Sequence, residues 1–148
     1  TATIIEWVGV DIDGFRGDNA PNWSGVIDLY NAATTNTTLV SPDTNITQIS
    51  NLIGILSDNN TTTINDAAIY FIGSGGTINQ YGWDGTGFTD QNNSVMHPIN
   101  ATVNNRFTSI VGDDFTGVDI YEYYQLAWTA YAVSHEDFDG DGIAEELV

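Results

Sequence analysis

The chain has no lysine and no cysteine, and Arg16 and Arg106 are all that it sets against 20 aspartates and glutamates, for a formal net charge of -18 over 148 residues. Without cysteine there is no disulfide framework, Cys-ligated zinc, iron–sulfur cluster or thiol nucleophile. Without lysine there is no Lys–Asn isopeptide cross-link and no sortase-type lysine linkage. Two arginines cannot neutralise a phosphate backbone, which excludes nucleic acid as a direct partner. The same field repels an anionic membrane surface, and no run of about 20 apolar residues is present to span a bilayer. Histidine is scarce too, with only His97 and His135. No Ser/His/Asp order, nucleophile elbow, phosphate-binding glycine loop or His-rich metal motif accompanies them, so the chain is not expected to be an enzyme.

Uncompensated acidity costs stability through self-repulsion unless salt screens it or bound cations neutralise it. A saline or calcium-containing exterior meets both conditions; the alternative is a generic acidic protein kept soluble by its charge. The opening Thr1-Ala2-Thr3, without an initiator methionine, is what a mature secreted or cell-surface product looks like after removal of a signal peptide.

With 41% hydrophobic residues, a chain of this length can bury the core of a single domain. The apolar signal is largely β in kind: short runs of Val, Ile, Tyr, Phe and Trp punctuated by Gly, Asn, Asp and Thr. Strands are expected near 2–12, 24–30, 67–73, 77–83, 95–103, 106–111 and 118–134. That pattern predicts an all-β fold, a β-sandwich of jelly-roll or immunoglobulin-like type, with one short helix. Ser41-Pro42-Asp43 reads as a helix start, and Ile46, Ile49, Ile53 and Leu56 follow at helical spacing, predicting a helix over 42–57 with its polar face outward. The Asn/Thr-rich stretches 31–38 and 58–63 read as exposed loops. Residues 1–12 present apolar residues on both faces of a strand. An ordinary central strand would do so, and so would a donor strand that completes the sheet of a neighbouring subunit.

The strongest motif lies at 137–145: Asp137-Phe138-Asp139-Gly140-Asp141-Gly142-Ile143-Ala144-Glu145. Side-chain oxygens of Asp137, Asp139, Asp141 and Glu145, the carbonyl of Ile143 and a turn-forming glycine converge oxygen ligands on one hard cation, and Ca2+ is the expected ion. Position 12 of the loop is Val148, where an EF-hand needs a bidentate glutamate. The loop resembles instead the calcium loop of integrin-type FG-GAP repeats, in which an acidic residue leads into an apolar strand, here Glu145-Glu146-Leu147-Val148. Glu145 stands where those repeats more usually have aspartate. The resemblance implies an ion site of structural role and not a propeller, whose repeats are missing. An acidic turn without an ion is the alternative, at the cost of clustering four carboxylates. Asp11, Asp13, Gly14, Asp18 and Asn19 could form a second site or a solvated turn. Asp113 and Asp114 suit a hairpin turn, and His135 beside the loop suits packing or a hydrogen bond.

Asn-X-Ser/Thr sequons begin at Asn22, Asn36, Asn45, Asn59, Asn60, Asn92 and Asn100, which marks the chain as a candidate glycoprotein. Asn59 and Asn60 are adjacent, and both are not expected to be modified. The tripeptide Arg16-Gly17-Asp18 matches an integrin-recognition motif too short to carry weight. Trp7, Trp23, Trp83, Trp128, Tyr121, Tyr123, Tyr124 and Tyr131 serve either as core or as platforms for sugar rings. Taken together, an apolar terminal strand, dense sequons, an ion loop and no catalytic residues resemble in character the subunits of archaeal extracellular filaments and tubes, such as donor-strand-linked pili and cannulae. The expected partner is the chain itself. The alternatives are a surface adhesion or carbohydrate-binding module, or a viral capsid or decoration protein.

Overall fold

The computed structural model describes residues 5–10, 22–60, 62–77, 80, 91–110, 114–133, 135–136 and 146–147. These form β1 (Ile5–Val10), β2 (Thr38–Val40), α1 (Ile46–Leu56), β3 (Ala68–Phe71), β4 (Met96–Asn100), β5 (Arg106–Ser109), β6 (Tyr124–Val133), β7 (His135–Glu136) and β8 (Glu146–Leu147), with short 3-10 turns at Ile64–Asp66 and Gln91–Asn93. The fold is mostly antiparallel sheet with one α-helix, as the all-β reading expected. Six strands form one sheet in the order β1-β6-β3-β4-β5-β2, and β7 and β8 form a separate ladder. Among the described residues no helix is long and apolar enough to cross a membrane.

Strand alternation gives the large sheet two unlike faces. Leu39 opposes Phe107, Ile69 stands between His97 and Leu126, and Phe71 opposes Tyr124. These residues, with Ile99, are buried in the main core under Ile46, Ile49 and Ile53 of α1 and under Trp23, Ile27, Ile64 and Phe115 from the connections. The opposite face buries a smaller group, Ala68, Met96 and Ala127, with Tyr70 packed beside it.

The helix begins at Ile46, not at residue 42. Asp43 lies at φ 54, outside the right-handed helical region, so Pro42 sits in a turn ahead of the helix. Asn45 is the N-cap: its Oδ1 accepts the Gln48 N–H at 3.1 Å, and Asn104 Oδ1 accepts the Ile46 N–H at 2.9 Å. Ile46, Ile49 and Ile53 face the core as their spacing predicts, but Leu56 is exposed. Asp58 and Asn59 at φ 53 and 59 end the helix, and the Asn59 N–H reaches back to Gly54 O at 2.8 Å.

Three other expectations need correction. Residues 24–30 are not a strand: they form a single bridge, Val26 with Tyr123, and the Asp28 N–H donates to Val40 O of β2 at 2.8 Å. Gly25 at φ 71 and a turn in which Asp28 Oδ1 accepts the Tyr30 N–H break the run, although Trp23 and Ile27 are buried. The loop expected over 31–38 gives way at Thr38 to edge strand β2, paired with β5. The strand expected over 118–134 starts at Tyr124, because Phe115 to Val118 is a turn with Gly117 at φ 81. The expected strand 77–83 lies mostly outside the described residues.

Candidate functional site

The calcium-loop residues Asp137, Asp139, Asp141, Ile143 and Glu145 lie outside the described residues, and so do Asp11, Asp13, Gly14, Asp18 and Asn19. What is described is the frame around the loop. His135 pairs with Leu147 and Glu136 with Glu146 in an antiparallel ladder, which makes 137–145 the connection of a hairpin. That register sets two glutamates directly opposite each other where the loop begins and ends. Like charges at directly opposed positions of a ladder are destabilising. Among the described residues no group of three or more His, Asp or Glu side chains is placed to hold a metal ion. Asp114 Oδ1 accepts the Thr116 N–H at 2.8 Å in a local turn, but the flanking strands β5 and β6 do not pair, so this is not the hairpin turn expected. Asp113 is outside the described residues.

A second feature lies at the sheet edge. β3 pairs with β6 from Tyr124 to Ala127 and goes no further, whereas β1 pairs with β6 from Ala127 to Val133. The second half of β6 and β1 therefore form a two-stranded ribbon leaving the body of the sheet, and among the described residues no third strand joins it. The register shifts between Gly9, opposite Thr129, and Val10, opposite Ala127. This irregularity leaves Trp128 unmatched where the ribbon departs, and the Trp128 ring meets Trp23 edge-on at a centroid distance of 6.2 Å. Glu6 is the one charged residue in the ribbon, which otherwise reads Ile-Trp-Val-Gly-Val against Trp-Thr-Ala-Tyr-Ala-Val.

Of the sequon asparagines, Asn36, Asn45, Asn59 and Asn60 are exposed, Asn22 and Asn100 are half-buried, and the Asn92 side chain is outside the described residues. The aromatic set divides. Trp23 and Tyr124 are buried and Trp128 packs against the core, while Tyr123 and Tyr121 are 55% and 38% exposed beside Ile72. The Ile72 N–H donates to Tyr123 O at 2.9 Å, and the Tyr121 ring lies over Gly73. The side chains of Trp7 and Tyr131 lie outside what is described, as do Trp83 and Arg16-Gly17-Asp18.

Two buried polar groups need a structural reading before a chemical one. His97 is 2% exposed, tilted against Phe71 at 5.4 Å, with Nδ1 3.2 Å from Gln91 Oε1. Gln91 in turn donates through Nε2 to Pro98 O at 2.8 Å. Burial lowers the imidazole pKa to about 4, so it is neutral near pH 7. The second group was not foreseen. Ser41 Oγ lies 2.7 Å from the Tyr124 hydroxyl, 2.8 Å from Thr44 Oγ1 and 3.2 Å from Ser24 Oγ. Burial raises the Tyr124 pKa, with the Ser41 hydrogen bond opposing. Among the described residues no carboxylate or imidazole joins this cluster, and its arrangement ties the segment before α1 to β6. Comparison with protein families, curated proteins and solved structures finds no match for this chain.

Proposed function

We propose that this chain is the structural subunit of an extracellular or cell-surface filament or tube, assembled from copies of itself by strand exchange and stiffened by calcium. The observation that carries the reading is the β1–β6 ribbon. An isolated two-stranded ribbon is marginal in water, and a third strand or a packed face is needed to stabilise it. A strand from a second copy would supply that, through backbone hydrogen bonds to an open edge. The ribbon is also nearly free of charge in a chain of net charge -18, so it is where two copies can approach with least repulsion.

Calcium at Asp137, Asp139, Asp141, Ile143 and Glu145 would rigidify the β7–β8 hairpin, and the facing Glu136 and Glu146 support a cation there. Residues 1–148 are read as one domain with a sandwich-like arrangement. Burial of Ala68, Met96 and Ala127 behind the sheet, in addition to the main core, supports layers on both faces. Dense sequons support an outward-facing glycoprotein. Electron microscopy of native material, with calcium and then after chelation, tests the reading. Filaments or tubes that fray on chelation are expected; discrete monomers in both conditions would refute it.

A second reading rests on the exposed Tyr121 and Tyr123 beside Ile72. Such rings stack on sugars, and a carbohydrate-binding module would use them so. Glycan binding abolished by Tyr123→Ala, in a protein that stays monomeric, would put this reading first.

A further inference from the structure

We infer that Asn45 and Asn59, at opposite ends of α1, are the asparagines of this fold that carry N-linked glycans, in preference to Asn36 and Asn60. The inference rests on the reading of the chain as an extracellular glycoprotein and goes beyond it by selecting among the sequons. N-glycosylation joins the asparagine Nδ2 to the anomeric carbon of an oligosaccharide. That carbon's bond to a lipid-linked phosphate donor breaks, the lipid phosphate leaves as the anion, and one amide proton passes to solvent. The modified side chain keeps its Oδ1 acceptor and one N–H. A sequon is therefore compatible with the folded state when the fold leaves Nδ2 to solvent, whether or not it uses Oδ1.

Asn45 meets this condition. Its Oδ1 caps α1 by accepting the Gln48 N–H at 3.1 Å, and among the described residues its Nδ2 has no hydrogen-bond partner. The hydroxyl-bearing residue of its sequon, Thr47, is exposed on the first turn. Asn59 meets it as well: it is exposed, sits at φ 59, where asparagine is one of the few residues at ease, and has no side-chain hydrogen bond among the described residues.

The other exposed sequons engage Nδ2 in the fold, Asn36 twice and Asn60 once. Asn36 Nδ2 donates both to Asp114 Oδ2 at 3.2 Å and to Thr116 Oγ1 at 3.0 Å. Asn60 Nδ2 donates to Ser57 O at 2.9 Å, a carbonyl that the Asn60 backbone N–H also reaches at 3.0 Å. Asn22 is half-buried, and half-buried Asn100 lies within β4 opposite Thr108.

The position of the selected pair has a physical use. α1 carries no charged residue in Ile46–Leu56, yet it exposes Ile55 at 74% and Leu56 at 52%. The helix, like the ribbon, therefore lacks the charge that keeps copies of an acidic chain apart. The 11 residues of α1 separate its ends by about 16 Å at the helical rise, a span that two oligosaccharides would cover from both sides. This makes the outer face of the helix a glycan-shielded surface and leaves assembly to the ribbon.

The test is glycopeptide mass spectrometry on the native full-length chain, alongside Asn45→Asp, Asn59→Asp, Asn36→Asp and Asn60→Asp variants expressed in the same host. Aspartate keeps a capping oxygen at 45 and tolerance of positive φ at 59, and Thr47→Ala removes the first sequon without touching Asn45. Asn45→Asp, Thr47→Ala and Asn59→Asp are each expected to lose one glycan mass, and the Asn36 and Asn60 variants none. Glycans at Asn36 or Asn60 with Asn45 and Asn59 bare would overturn this assignment and leave the glycoprotein reading intact. A native chain with no glycan at any sequon would overturn both.

Discussion

The Tyr124 hydroxyl of β6 lies 2.7 Å from Ser41 Oγ, in a site where Tyr124 is 1% and Ser41 0% exposed. Ser41 is the hub of this cluster, since Thr44 and Ser24 also meet its hydroxyl. Ser41→Ala withdraws a partner from three hydroxyls and is expected to cost about 1–3 kcal/mol. Tyr124→Phe leaves Ser41 bonded to Thr44 and Ser24 and is expected to cost about 1 kcal/mol. Urea denaturation of both variants checks the order; equal and negligible losses would mean that the cluster does not fasten the helix segment to the sheet.

His97 makes stability depend on pH with a defined sign. Burial lowers its folded pKa from 6.5 to about 4, so between those values the unfolded chain binds a proton that the folded chain refuses. Stability is lost as pH falls from about 6.5 toward 4, by up to about 3 kcal/mol from this group. His97→Gln is expected to be less stable at pH 7 and to show a shallower decline over that interval. Melting temperatures of both proteins across pH 4–7 check it, and parallel curves would show that His97 is not the group responsible.

Asn45 separates two roles that its sequon joins. As N-cap it accepts the Gln48 N–H at 3.1 Å, so Asn45→Ala is expected to cost about 1 kcal/mol and Asn45→Asp much less. Both comparisons are made on unglycosylated protein, by thermal denaturation. An alanine variant as stable as the wild type would show that the Asn104 side chain, which holds the Ile46 N–H at 2.9 Å, suffices to start the helix.

Much of the core could be read from the chain alone, and for a plain reason: burial follows hydrophobic pattern whether or not the backbone is regular. Ile46, Ile49 and Ile53 were legible as a helix face, and the alternation in β3 and β4 as strands. Ile27 is legible as apolar, but its segment reads as strand, because the spacing of side chains cannot show that Gly25 adopts positive φ. Asp43 hid the true helix start for the same reason: its φ of 54 is a backbone fact, and Ser41-Pro42 is equally good as a turn. The hydroxyl cluster escaped because its members are 83 residues apart in the case of Ser41 and Tyr124, and nothing local announces such a pairing. The overhang of β6 beyond β3 was equally hidden, since register between distant strands is set by the whole sheet.

The facing glutamates give the calcium proposal a prediction of opposite sign in two buffers. Glu136 and Glu146 are cross-strand partners, and without a cation their repulsion costs a few tenths to about 1 kcal/mol. Glu146→Gln is therefore expected to raise the melting temperature in chelator. In calcium the same change is expected to gain nothing, because the ion already offsets the repulsion. Calcium itself is expected to raise the wild-type melting temperature, and a variant with Asp137, Asp139 and Asp141 replaced by asparagine is expected to lose that response. If calcium leaves the wild type unchanged, the loop holds no ion of structural weight.

The ribbon makes the assembly proposal testable without disturbing the core. Among the described residues β1 pairs with β6 alone, along Ala127–Val133, so a charge introduced there is placed on the edge strand of the sheet. Val8→Glu adds a second charged residue to a ribbon that holds only Glu6, and charge on an exposed edge opposes strand addition. The expected outcome is a folded protomer, with cooperative unfolding retained, that no longer sediments as polymer. A peptide spanning residues 1–12, added to wild-type subunits before assembly, is expected to occupy the same edge and shorten the polymers in proportion to its concentration. Polymers of unchanged length in both experiments would show that copies join through some other surface, with the ribbon completed within its own chain.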